Sequence, residues 1–187
     1  IIEAQGGHEE ALRRLDSIKE RGGEKLMLSP LGHKLIGKRA EVLSSSGRFA
    51  EAKAEFEAYF ELSKEDSMMR AGPYRGLALV GLARAHIGLD EDEEAAKLLD
   101  EAVQTVAEVS QEHWALVDPL AGQAELALKQ GDDARALEAA GRALRILERT
   151  GFSGLETARV RFLVAKASLS SDPAKARELA LRALAEQ

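Results

Sequence analysis

A column of alanines that returns about every 41 residues constrains this chain more than any other feature. Five segments share one pattern, a turn followed by a helix-forming stretch: GGHEEALRRLDSIKE, SGRFAEAKAEFEAYFEL, DEDEEAAKLLDEAVQTV, QGDDARALEAAGRALRIL and SSDPAKARELALRALAE. Aligned, they bring Ala11, Ala52, Ala95, Ala136 and Ala176 into register at spacings of 41, 43, 41 and 40 residues. Four positions on stand Leu15, Phe56, Leu99, Ala140 and Ala180, and three further on Ile18, Tyr59, Ala102, Ala143 and Ala183. Offsets of four and seven fall on a single stripe of an α-helix. A recurring helix with a face of small residues is therefore expected.

Four further helices are predicted between these, in SPLGHKLIGKRAEVLSSSG, GPYRGLALVGLARAHIG, DPLAGQAELALKQG and GLETARVRFLVAKASLS. Ser29 before Pro30, Gly72 before Pro73 and Asp118 before Pro119 read as helix starts, and Asp172 before Pro173 opens the last helix. Asp118-Pro119 also reads as a kink, because EHWALV upstream has helical character. Gly47, Gly88 and Gly131 stand where left-handed residues stop a helix, and the Gly88 turn reads as carrying a two-residue insertion. Aromatics make up only 4% of the chain. The core must then be built from Ala, Leu and Val, which favours closely packed helices over sheets.

The unit is a helix, a tight turn, a second helix and a longer connection. A small residue, a turn glycine, then Ala, a large apolar residue four later and Ala three after that resembles the tetratricopeptide repeat. Ala124, Gly131, Ala136, Ala140 and Ala143 match it best, and Ala40, Gly47, Ala52, Phe56 and Tyr59 come next. The family period is about 34 residues, so this chain resembles the long-helix branch seen in kinesin light chains and in sensor domains of bacterial regulators. Tyr59 and Ile18 stand where the family prefers Ala, which is expected to splay the neighbouring helices.

The resemblance implies an all-α, right-handed superhelical solenoid of antiparallel helix pairs, about four and a half repeats long. It covers one domain over 1–187, as a half repeat 1–21 and repeats over about 22–64, 65–109, 110–150 and 151–187. The first helix lacks a partner and the last lacks a polar cap after it, so the segment reads as a fragment of a longer protein.

The net charge of −6 repels a phosphate backbone and disfavours nucleic acid. No apolar run approaches the roughly 18 residues of a membrane span. With no cysteine, disulfides, thiolate catalysis and cysteine zinc sites are excluded together, and a cytoplasmic location is compatible with that. His8, His33, His86 and His113 show no metal-ligand spacing and read as surface or turn histidines. The acidic run from Asp90 to Glu94 lacks the alternation of a calcium loop and reads as a charged helix start. Ser44 to Ser46 reads as a helix end. No enzyme, metal or cofactor is expected.

What remains is binding. The resemblance implies that the first helix of each pair lines a concave groove that takes a peptide or partner helix. Groove positions are expected to include Lys34, Gly37, Lys38 and Glu41, then Arg75, Ala78 and Leu82, then Ala121, Gly122, Glu125 and Lys129, and last Ala158, Arg161, Phe162 and Ala165. Lys34, Lys38, Arg75 and Arg161 would form a basic strip on an acidic body that favours an acidic partner, with Leu82 and Phe162 as apolar anchors. The alternative for the lysine pair is an ordinary solvated face. Capture of a chaperone's terminal carboxylate, a habit of one branch of the family, is disfavoured because the chain has no Asn. The expected role is a protein-binding scaffold within a bacterial signalling or regulatory protein. Two rivals stand beside it: a ligand-sensing domain around Arg159 to Ser168, and self-assembly into homo-oligomers through the terminal helices.

Overall fold

The computed structural model describes residues 2–27, 29–63, 72–151 and 154–185. Within them the chain forms α1 (Ile2–Met27), α2 (Pro30–Ser45), α3 (Phe49–Ser63), α4 (Gly72–Gly88), α5 (Asp92–Ala107), α6 (Val117–Lys129), α7 (Asp133–Thr150), α8 (Leu155–Ser168) and α9 (Pro173–Ala185). A single 3-10 turn, Trp114–Leu116, precedes α6, and no strand occurs among the described residues. The chain divides into two compact units, Ile1–Ala95 and Ala96–Gln187.

In the first unit α2 packs on α1, α3 and α4, and α3 also packs on α4. In the second, α7 packs on both α6 and α8, α8 on α9, and α6 lies beside α8. A hairpin of two helices leaves an apolar face uncovered until a neighbour joins it, which is why first helices meet first helices in each unit.

The small columns are where helices touch. Ala52, Ala95, Ala136 and Ala176 are buried, as are Phe56, Leu99 and Ala140, and Tyr59, Ala102, Ala143 and Ala183. The first segment departs from this: Ala11 and Leu15 are half-buried and Ile18 is exposed. Gly6 and Gly7, expected as a turn, lie inside α1, whose helical geometry is broken instead at Gly23 (φ 58°).

Three tight turns share one hydrogen-bond pattern. Arg48 N donates to Leu43 O, Glu91 N to His86 O and Asp132 N to Ala127 O, each at 2.9 Å. The residue before each donor is left-handed: Gly47 (φ 79°), Asp90 (φ 59°) and Gly131 (φ 76°). These three positions lie 43 and 41 residues apart, as do the alanines that follow them. The expected left-handed role of Gly88 therefore belongs to Asp90, and the turn carries no insertion. Gly88 is glycine for another reason. A side chain there would collide with the ring of Phe49.

Side chains cap the helix starts expected at Ser29 and Asp172, and also one at Asp132 that was not expected. Ser29 Oγ accepts from Gly32 N at 3.3 Å, Asp132 from Arg135 N at 3.0 Å and Asp172 from Lys175 N at 3.0 Å. Asp118 is not the N-cap residue: it lies in the first turn of α6, and Leu116 holds the N-cap position. The chain enters α6 through the Trp114–Leu116 turn, where His113 Nδ1 accepts from Ala115 N at 3.1 Å, and Pro119 sits in the first turn of α6. At that position proline costs little, because the first amide donors of a helix have no intrahelical partner.

Candidate functional site

Each unit carries a recess with both an apolar floor and a charged rim. In the first unit, Lys34, Gly37, Lys38 and Glu41 of α2 face Tyr74, Leu77 and Ala78 of α4, and Phe56 and Tyr59 of α3 form the floor. Its volume is about 220 Å³. The opening exists because α2 has no side chain at Gly37, where an added Cβ would meet nothing within 4 Å. Lys34 and Lys38 are exposed, and Lys38 Nζ donates to Glu41 Oε2 at 2.8 Å. Neutralised in this way, Lys38 contributes less field to the recess than Lys34 does.

Two residues expected beside this group lie elsewhere. Arg75 is placed over the Phe60 ring, 5.6 Å from its centroid, an arrangement that holds a cation by the ring's quadrupole. Leu82 is buried, not presented as an anchor.

In the second unit, Ala121, Gly122, Ala158 and Ala165 are buried packing positions. A Cβ at Gly122 would fall 2.6 Å from Leu99 Cδ2, so α6 needs glycine to admit that leucine. Arg161 also turns inward: it is 9% exposed, with Nη2 3.8 Å from Glu148 Oε1. The solvated residues of α8 are its neighbours, since Phe162 is 50% exposed and Arg159 half-buried. A strip that included Arg161 is thus not formed by the exposed surface of α8.

Arg159 is the charged centre that the spacing did not single out. Its Nε and Nη2 donate to Glu125 Oε1 at 3.1 and 2.9 Å, and its Nη1 to Asp118 at 3.3 Å and Glu156 at 3.1 Å. Burial pulls its pKa down, but the three carboxylates, Glu125 foremost, outweigh that and hold it above the ordinary arginine value. Glu125, expected to meet a partner, is thereby engaged across the α6–α8 contact. Only the approach of Asp118 and Glu125 on α6 to Arg159 on α8 could have revealed this, and sequence distance hides it.

His86, expected at the surface or in a turn, is buried, with Nδ1 2.6 Å from Glu91 Oε2. Glu91 also accepts from Lys53 Nζ at 2.7 Å. That hydrogen bond, with the charges of Lys53 and His86 behind it, holds the Glu91 carboxyl below its usual range despite partial desolvation. Asp92, Glu93 and Glu94 occupy the first turn of α5, where carboxylates complement the helix dipole. Among the described residues no group of acidic and histidine side chains has the geometry of a metal site.

No protein-family model matches the chain, and no curated protein sequence does. Solved structures do. The TPR-like repeats of a kinesin light chain from Podosopora anserina superpose with a TM-score of 0.71 at 21% identity, over 98% of this chain and 89% of that one. The fold is TPR-like. BtubC (BKLC) from P. vanneervenii gives the same TM-score of 0.71 at 17% identity, over 99% of this chain and 72% of that one. A TPR-like fold built on buried alanine columns explains why the repeat is legible although overall identity is low: small contact positions are constrained, and the rest of each helix is free to vary. Among the described residues no helix is long and apolar enough to cross a membrane.

Proposed function

We propose that this TPR-like chain is a scaffold that docks an acidic peptide or partner helix on the α2–α4 face, within a signalling or regulatory protein. The observation that carries the reading is the recess under Gly37: an aromatic and aliphatic floor beneath a rim that holds Lys34 and Lys38. Its volume lies below the roughly 300–1,000 Å³ of small-molecule sites, a size suited to one anchoring side chain of a larger partner. An exposed ion pair contributes only about 0–1 kcal/mol, so the lysines select sign and the floor supplies affinity. A segment with an apolar residue flanked by Asp or Glu fits both.

The test is a titration with a capped peptide of that composition, at low and high salt. Lys34→Glu combined with Lys38→Glu should weaken binding while leaving the melting temperature nearly unchanged. Gly37→Leu should abolish it by filling the recess. Unchanged affinity in both variants would place the binding surface elsewhere.

Self-association is the second reading, and Leu181 and Leu184 of α9, both well exposed, favour it. A mass that rises with concentration in light scattering, and does not in Leu181→Glu with Leu184→Glu, would establish it.

A further inference from the structure

The recess of the second unit opens between α7 and the connection that leads from α5 to the Trp114–Leu116 turn. From α7 it is lined by Arg142, Arg145, Arg149 and the buried Ile146, and from the connection by Gln111 and Glu112. Its volume is about 390 Å³. Offsets of three and seven residues set the three arginines on one face of the helix.

Three guanidinium groups therefore stand against one carboxylate. Arg149 pairs with Glu112 and, in the last turn of α7, also complements the helix dipole. Neither reason accounts for the other two, which lie further back along the helix. Arg142 Nη2 donates to Gln111 O at 3.2 Å and to Gln111 Oε1 at 3.0 Å, both of them neutral acceptors. Among the described residues no carboxylate pairs with Arg142, and Arg145 makes no hydrogen bond or ion pair. Carboxylates close in sequence do not restore the balance. Glu148 stands 3.8 Å from Arg161, Glu108 is not part of the lining, and Glu138 belongs to an adjoining recess that holds Arg135 as well as Arg142. The recess thus keeps an excess of two positive charges on a chain whose net charge is −6.

Two uncompensated guanidinium groups match a dianion, and their planar forks suit the oxygens of a phosphate. A phosphate monoester carries about −1.5 to −2 charges at pH 7. Gln111 fixes Arg142 in advance, so less side-chain freedom is lost when an anion arrives. The volume exceeds what a bare phosphate fills and falls within the roughly 300–1,000 Å³ of small-molecule sites, unlike the recess on α2 and α4. We infer that this recess binds a small molecule bearing a phosphate monoester, with the phosphate on Arg142 and Arg145 and the carbon part against Ile146. It shares no residue with the lysine-rimmed recess, so either site stands without the other.

The probes are phenyl phosphate, inorganic phosphate, phenyl sulfate (an ester with a single negative charge) and a capped phosphoserine hexapeptide, each titrated by calorimetry at low salt. Phenyl phosphate should bind once per chain, more tightly than the other three, and more weakly as salt is added. Arg145→Gln, a change at an exposed residue, should weaken it about twofold to fivefold. Arg142→Gln with Arg145→Gln should weaken it further, and thermal melts will show that both variants fold. Lys34→Glu with Lys38→Glu should leave this binding unchanged even where it abolishes capture of an acidic peptide. Equal affinity for the phosphate and sulfate esters would overturn the proposal by showing an unselective basic face, and so would no binding of phenyl phosphate. Tighter binding of the phosphoserine peptide would assign the recess to a partner protein instead. Undiminished affinity in the folded double variant would remove the arginines from the site.

Discussion

The ring of Phe56 occupies the space that a side chain at Gly81 would need. A Cβ built on Gly81 falls within 3.0 Å of three ring atoms, closer than real Cβ contacts come. Phe56 is buried in the gap between α3 and α4, and the glycine lets the helix backbone approach it. Gly37, one helix away, shows the opposite case, with open space where its side chain would be.

Gly81→Ala should therefore destabilise the protein by about 1–3 kcal/mol through overpacking. Gly37→Ala should stabilise it by about 0.5–1 kcal/mol, because glycine inside a helix loses more entropy on folding than alanine. Chemical denaturation of the two variants checks both signs. Equal shifts would mean that Phe56 does not sit against α4.

The small columns give a second prediction. Ala143 is fully buried between helices, and Ala134, at the start of α7, is exposed. Ala143→Phe should cost about 1–3 kcal/mol or more, and Ala134→Phe within about 0.5 kcal/mol of nothing. Indistinguishable melting temperatures would refute the register.

Asp90 supplies the third. It holds a left-handed conformation that Gly47 and Gly131 hold in the equivalent turns, and Asp tolerates it better than most residues. A β-branched side chain does not. Asp90→Val should be about 1–2 kcal/mol less stable than Asp90→Gly, measured by thermal unfolding.

The fourth concerns pH. The Glu91 carboxyl is held below its ordinary value, so the folded protein favours its charged form. That contribution is present above the carboxyl's unfolded pKa and is lost as pH falls through the lower folded one. Glu91→Gln should melt below the parent at pH 7, with the difference closing as the solution is acidified below about pH 4. A difference that is constant with pH would show that the charge is not what Glu91 contributes.

The phase of α7 was plain in the sequence. Ala136, Ala140, Ala143, Ile146 and Leu147 are buried on one stripe, with charged residues around the rest of the helix. The phases of α4 and α8 were not, because both are buried over most of their circumference. A helix buried from several sides carries little periodicity, which is why spacing puts Arg161 on the outward face and does not show that Arg159 meets the carboxylates of α6. Gly88 misled for a related reason. A glycine near a helix end serves a turn or a close contact, and only the position of Phe49 distinguishes the two. The recess on α2 and α4 was half legible, since its lysines follow helical spacing while Phe56 and Tyr59 enter from α3.

The hydrogen-bonded turns at Gly47, Asp90 and Gly131 have one length, whereas the connections before α4 and α6 do not. Residues gained or lost in a tight turn would rotate a whole helix out of phase with the alanines it must meet. Residues gained or lost in a connection need not move any of them. In the second unit Trp114 stands on such a connection. Its surroundings are the part of the repeat that can change at least cost to the packing, so chains with the same buried alanines are expected to differ most there.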